Sequence, residues 1–278
     1  MPLIGFGTYQ VKSPNVLKQA IEAGYRMFDT ASFYDNEWLV GDCLSRSNVD
    51  GLFVVSKAWN DIVYDGPAAI RYQIAKSLQD LRVDCIDLYM IHWPVPGKFV
   101  AVYNVLEEMH KQGKIRDIGL SNFTIEDYEE LIESGISVLP SVIQLEVNPS
   151  LFRSKTIDYF KHKGLHIMSY RGFAKSKGLD DPDVIELGLK YNRSPSQILG
   201  RFLVQQHISH IPKSNDRERM VLNKDIFDFE LEEIDMSLLK LKTTEADLLA
   251  FSEHYYSRRV KDTHMEFRPP KRTPITID

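Results

Sequence analysis

Apolar residues along this chain follow two rhythms in turn. Short runs rich in β-branched and aromatic residues begin near Ile4, Met27, Leu52, Ile86, Ile115, Val142, Leu165 and Ile208. Between them, apolar residues recur three and four positions apart. Leu17, Ala20, Ile21 and Gly24 form one such set, and Ile70, Ile74, Leu78 and Leu81 another. Val102, Val105, Leu106 and Met109 repeat it, as do Tyr128, Leu131 and Ile132. The first rhythm fits strands and the second puts side chains on one helical face. Repeated strand-then-helix alternation predicts a single domain over residues 1–278, an α/β fold whose parallel sheet closes into a (β/α)8 TIM barrel. A doubly wound open sheet is the alternative, because periodicity does not reveal closure.

Local signals support the boundaries. Thr124 followed by Asp127 predicts a capped helix start, and Ser194-Pro195 predicts another. Gly113, Gly135 and Gly164 fall near helix ends, where glycine accepts a positive φ cheaply. Leu231, Ile234, Leu238, Leu239 and Leu241 predict one more amphipathic helix. Residues 245–278, with Phe251, Tyr255, Tyr256, Phe267 and Pro269-Pro270, read as an irregular C-terminal tail. It is expected either to cover the barrel mouth or to be partly disordered.

Three of the strands end in an ionisable residue: Asp29, Lys57 and His92. Tyr34 follows the first of them by five positions. In a parallel barrel the carboxyl ends of the strands share one rim, where such folds carry their chemistry. A phenol, an ammonium, a carboxylate and an imidazole gathered there make a proton-donating site. Each residue alone is more often structural, and Asp29 with Lys57 reads equally as a plain ion pair.

Composition narrows the class. With 43% hydrophobic residues and a net charge of -5, the chain has ample core and no basic patch to suggest nucleic acid or a membrane surface. Two cysteines make no disulfide framework. The start lacks the basic and apolar regions of a secretory signal, so a cytoplasmic setting is expected. His162 and His166 have helical spacing but no catalytic glutamate between them, and no metal site is expected there. Arg258-Arg259 and Lys271-Arg272 lie among acids and read as a solvated tail. No Gly-x-Gly-x-x-Gly follows any strand, which argues against a Rossmann dinucleotide site.

The strings Gly5-Phe-Gly-Thr-Tyr, Phe28-Asp-Thr-Ala-Ser-Phe-Tyr-Asp-Asn-Glu, Ser56-Lys-Ala-Trp and Asp87-Leu-Tyr-Met-Ile-His-Trp-Pro stand in this order. Ile118-Gly-Leu-Ser-Asn-Phe, Gln144-Leu-Glu-Val-Asn-Pro and Ile211-Pro-Lys-Ser follow. Together they resemble the aldo-keto reductases, above all the shorter microbial and protist members. The resemblance implies a barrel oxidoreductase, monomeric, that reduces a small-molecule carbonyl with NADPH. It implies Tyr34 as proton donor, with Lys57 lowering the phenol's pKa, Asp29 orienting Lys57, and His92 bonding the carbonyl oxygen. It assigns cofactor contacts to Gly7, Thr8, Tyr9, Asp29, Ser121, Asn122 and Gln144, and ring stacking to Tyr170. Lys213, Ser214, Asn215 and Arg219 take the adenosine 2′-phosphate, and Asn223 the adenine. Arg171-Gly172-Phe173 replaces the family's Ser-Pro-Leu and is expected to meet the pyrophosphate; Leu222 stands where an acidic residue is usual. Tyr9, Phe33, Trp59, His92 and Trp93 are expected to wall the substrate pocket. A binding or regulatory protein on the same fold is the second reading, and a barrel isomerase or lyase acting on a phosphate ester the third.

Overall fold

The computed structural model describes residues 1–267. Eight parallel strands follow each other in sequence order: β1 (Phe6–Gly7), β2 (Met27–Asp29), β3 (Phe53–Ala58), β4 (Ile86–Ile91), β5 (Ile115–Ser121), β6 (Val142–Glu146), β7 (His166–Tyr170) and β8 (Ser209–His210). A parallel bridge between Ile4 and His210, with Gly7 N donating to Pro212 O at 3.0 Å, closes the ring. The sheet is thus a barrel and not an open, doubly wound sheet.

Strand alternation sorts the side chains into two cores. Met27, Val55, Leu88, Met90, Val142, Met168 and Ile211 point inward and fill the barrel. Their neighbours, such as Phe28, Val54, Tyr89, Ile91 and Ile143, point outward under the helices. The early helices bury the face their sequence pattern marks. Leu17, Ala20 and Ile21 are buried in Pro14–Glu22, and Ile70, Ile74 and Leu81 in Pro67–Leu81. Gly41, in the helix Glu37–Ser45, shows how tight this layer is. A Cβ there would stand 2.2 Å from Asp80 O, so only glycine lets these two helices meet. Thr124 and Asp127 form a complete capping box, as do Ser194 and Gln197.

Two sequence expectations need correction. In the helix Glu233–Lys240 the buried residues include Met236 and Leu239, while Ile234, Leu238 and Leu241 are exposed. The five apolar residues do not lie on one face. The tail differs more. Residues Glu245–Arg259 form a helix, not an irregular segment, begun by a Thr244–Asp247 capping box. Its Phe251 and Tyr255 pack on Trp59, Trp93 and Leu151 at the strand-end face. Tyr255 also hydrogen-bonds Asp127, and Arg259 pairs with it at 3.4 Å. Asn60 Nδ2 donates to Arg258 O at 2.6 Å and to Lys261 O at 3.0 Å, and Trp59 Nε1 donates to Asp262 Oδ2 at 2.8 Å. The physical reason for the helix was present in the sequence: a Thr-x-x-Asp cap, then Leu248, Phe251 and Tyr255 at helical spacing. Pro269-Pro270 and Lys271-Arg272 lie outside the described residues.

Candidate active site

β2, β3 and β4 deliver their last side chains to one rim. Asp29 ends β2, Lys57 is the penultimate residue of β3, and His92 follows β4, its N–H extending the ladder to Ala58 O at 3.0 Å. Tyr34 sits in the short 3-10 turn Ser32–Tyr34. Lys57 is fully buried and donates to Asp29 Oδ1 at 2.7 Å and to Thr30 O at 2.8 Å. Gln144 Nε2 donates to the other Asp29 oxygen at 2.7 Å. Lys57 Nζ lies 5.1 Å from the centre of the Tyr34 ring, and the rings of Tyr34 and His92 are 5.9 Å apart. Four residues scattered between positions 29 and 92 therefore meet.

The electrostatics depart from expectation in one respect. Burial, then the Asp29 carboxylate, push the Tyr34 phenol well above its ordinary range, and Arg171 opposes them. Lys57 was expected to acidify Tyr34. Its charge is instead directed at Asp29 and the Thr30 carbonyl, so the phenol stays fully protonated at neutral pH. Burial also lowers the Lys57 ammonium, with Asp29 acting against that. His92 is held well below the usual imidazole range by burial, then by Lys57 and Arg258, and is neutral. Its buried Nδ1 has no hydrogen-bond partner among the described residues.

Asp29, Tyr34 and His92 line a cavity of about 330 Å³, while Lys57, fully buried, is not part of its lining. Tyr9, Phe33, Trp59 and Trp93 line it. Phe33 stacks on Trp59 with ring centres 4.0 Å apart. Gly7, Asp29, Asn122, Gln144, Tyr170, Arg171, Gly172, Phe173 and Lys213 also line it. Tyr170 OH donates to Asn122 Oδ1 at 2.6 Å, and Asn122 Nδ2 donates to His92 O and Ser121 Oγ, both at 3.0 Å. Thr8 is buried below the rim, its hydroxyl donating to Asp29 O at 2.9 Å, and is a strut and not part of the lining. Ser121 is likewise fully buried. Lys213, Asn215 and Arg219 are exposed beyond β8 at the start of the helix Arg217–Lys224, with Ser214 half-buried and Asn223 buried. Asp216 caps that helix through Arg219 N at 2.9 Å.

After β7 the chain is strained. Arg171, Ala174, Lys175 and Ser176 all have positive φ, between 48° and 73°. Arg171 pairs with Glu146 at 2.9 Å. Gly172 crosses His210 so closely that a Cβ would stand 2.7 Å from the imidazole. Among the lining residues that sequence reasoning missed are Gln10, His210, His254 and Arg258. The last two come from the helix read as an irregular tail. His210 gave no signal, since in the sequence it lies inside the run from Ile208 to Ile211 and not at its end. Among the described residues no cluster of metal-ligating side chains occurs and no helix is long and apolar enough to cross a membrane.

A closed parallel barrel with a buried Lys–Asp pair beneath a tyrosine on its carboxyl rim delimits a small class of proteins. The chain belongs to the aldo/keto reductase family, whose family model matches residues 4–243. Glyoxal reductase of Bacillus subtilis is 38% identical over 243 residues, which cover 85% of this chain and 87% of that protein. The NAD(P)H-dependent D-xylose reductase of Candida tropicalis is 33% identical over 285 residues, covering 85% and 87%. An aldo-keto reductase from Bombyx mori in complex with NADP superposes with a TM-score of 0.80 at 30% identity, covering 87% of this chain and 89% of that one.

Proposed function

We propose that this protein reduces aldehydes or ketones to alcohols with NADPH, Tyr34 supplying the proton. One observation carries the reading: the protonated phenol of Tyr34 and the neutral His92 line an aromatic cavity together with Asp29, whose carboxylate holds the buried Lys57 beside the Tyr34 ring. The residues present fit a phosphorylated dinucleotide. Asn122 and Gln144 bring amides to the nicotinamide end and Tyr170 brings a ring. Exposed Lys213 and Arg219, with Ser214 and Asn215, suit a 2′-phosphate at a helix start. Asn223 suits the adenine, and the loop of Arg171, Gly172 and Phe173 lies between the two ends. A reduced nicotinamide supplies the hydride when bound.

The chain's own groups do the rest. Aromatic walls exclude water and hold the substrate. His92, being neutral, donates one hydrogen bond to the carbonyl oxygen and sets its angle. Hydride addition turns that oxygen into an alkoxide, far more basic than a phenolate whose acid has a pKa of ~10. Tyr34 therefore protonates it downhill despite its raised pKa. Lys57, 5.1 Å from the centre of the Tyr34 ring, is a cation beside the phenolate left behind, and Asp29 holds it in place. Positioned acid catalysis of this sort contributes about 10²–10⁴ in rate. The protein is taken to act as a cytoplasmic monomer on small carbonyl compounds.

The test is consumption of NADPH against a panel of aldehydes, ketones and quinones. Turnover of at least one class is expected, and none with any carbonyl would remove the proposal. Arg219→Ala should weaken NADPH binding by roughly tenfold or more and NADH binding little, because an Arg–phosphate contact is worth about 1.5–3 kcal/mol. Equal weakening of both in a fluorescence titration would reject the 2′-phosphate role.

A further inference from the structure

His210 ends β8 with a side chain that the fold does not use. Its backbone is engaged where the barrel closes: His210 N donates to Leu3 O and Gly5 N donates to His210 O, both at 2.9 Å. Its imidazole is 1% exposed, and among the described residues neither ring nitrogen has a hydrogen-bond partner. Burial keeps the ring neutral. A neutral imidazole carries one donor and one acceptor, and burying both unsatisfied costs more than an apolar side chain of similar size would. The surroundings are apolar. The Phe173 ring stands edge-on with centres 5.1 Å apart, and a Cβ on Gly200 would lie 3.6 Å from Cδ2. The edge with Cε1 and Nδ1 faces Gly172, where a Cβ would meet them at 2.7 and 2.8 Å.

The ring's position gives it a use. His210 lines the cavity beside Gly172, Phe173 and Lys213. In register it pairs with Ser169, the neighbour of Tyr170, to which the nicotinamide end was given above. Lys213, given to the 2′-phosphate, follows it by three residues. The diphosphate that joins those two ends of a dinucleotide passes between them, along the Gly172–Phe173 segment that His210 touches. Gly172 covers the nitrogen-bearing edge in this structure. The loop around it is strained, with positive φ at Arg171, Ala174, Lys175 and Ser176, and so has a more relaxed backbone to move into.

We propose that His210 is a diphosphate-binding residue of the cofactor site, its imidazole donating a hydrogen bond to a diphosphate oxygen once the strained loop has moved off its edge. This rests on the reductase reading and adds a contact from β8 to its cofactor site. Unsatisfied buried groups in a native fold call for a use, and a polar ring retained where leucine would pack at lower cost has one here. The ring needs no positive charge for it, since a neutral imidazole still donates from one nitrogen. The anionic oxygen is a strong acceptor, and a hydrogen bond to it outweighs one between neutral groups.

The experiment measures, by isothermal titration calorimetry, the binding of NADPH and of adenosine 2′-monophosphate, which carries the 2′-phosphate and no diphosphate. In His210→Leu, NADPH is expected to bind roughly 10- to 100-fold more weakly, while the 2′-monophosphate stays within about twofold of the parent. His210→Asn, which keeps a donor near the place of Nδ1, should recover part of the NADPH affinity. Where His210→Leu does not fold, His210→Ala carries the same comparison. NADPH binding equal to the parent's overturns the proposal. So does equal weakening of both ligands, which would mark a distorted site and not a lost diphosphate contact. A parent protein that binds no NADPH at all would instead remove the reductase reading, and this contact with it.

Discussion

Lys57 is the residue on which the energetics of the site turn. Its ammonium has no exposure, and Asp29 is 2% exposed, so the pair has surrendered nearly all its hydration. Removing one partner leaves the other charged and alone, at a cost of about 3–5 kcal/mol. Lys57→Met should therefore shift the denaturation midpoint strongly downward, and the double variant Lys57→Met/Asp29→Leu should recover much of the loss. A single variant as stable as the parent would show that the pair is not sealed from water. The buried histidines set a second test. Burial lowers His210 to about 3, and burial with Arg171 and Arg258 lowers His254 to about 4. Unfolding releases both to the ordinary value near 6.5, so the unfolded chain binds more protons as pH falls from there toward the folded values. Stability should hold above about pH 6.5 and decline with acidification below it. His210→Leu should make the decline of the melting temperature shallower between pH 6.5 and 5, and an unchanged slope would contradict this.

Among the elements, the helix Glu245–Arg259 decides the shape of the mouth. Asn60 clasps its last turn and the chain just beyond it through two carbonyls, at 2.6 and 3.0 Å. Asn60→Ala should cost about 1–3 kcal/mol in the local opening of this helix, because both carbonyls lose their donor. Hydrogen exchange should speed up across residues 251–262 and stay unchanged in β2 to β4; protection that does not move would show the helix is held by Tyr255 and Phe251 alone. This element also marks where sequence reading went astray. Its cap and its apolar spacing were legible at Thr244, Asp247, Phe251 and Tyr255, but the charges from Arg258 onward and Pro269-Pro270 led the whole segment to be read as irregular. The helix Glu233–Lys240 erred the other way, since Ile234, Leu238 and Leu241 imitate an apolar stripe and lie in solvent. The eight strands were legible because short β-branched runs, each flanked by helical patterns, are too brief and too apolar to be helices or loops. Asp29, Lys57 and His92 were legible because each ends such a run. Arg258 was not, because it belongs to the helix Glu245–Arg259, which the sequence reading took for an irregular tail.

At the scale of the whole molecule, closure of the barrel makes the site. Hydrogen bonds of Gly5 and Gly7 to the segment around His210 bring β1 beside β8, so the proposed phosphate-binding start of Arg217–Lys224 adjoins the rim that carries Tyr34. Only in a closed ring do residues from both ends of the chain line one cavity. The central claim is that Tyr34 gives its proton to the oxygen of a reduced carbonyl there. The most direct measurement is NADPH binding and turnover in Tyr34→Phe beside the parent, with an aldehyde the parent reduces. Cofactor affinity should stay within about twofold while turnover falls by about 10²–10⁴. Turnover equal to the parent's would contradict the account.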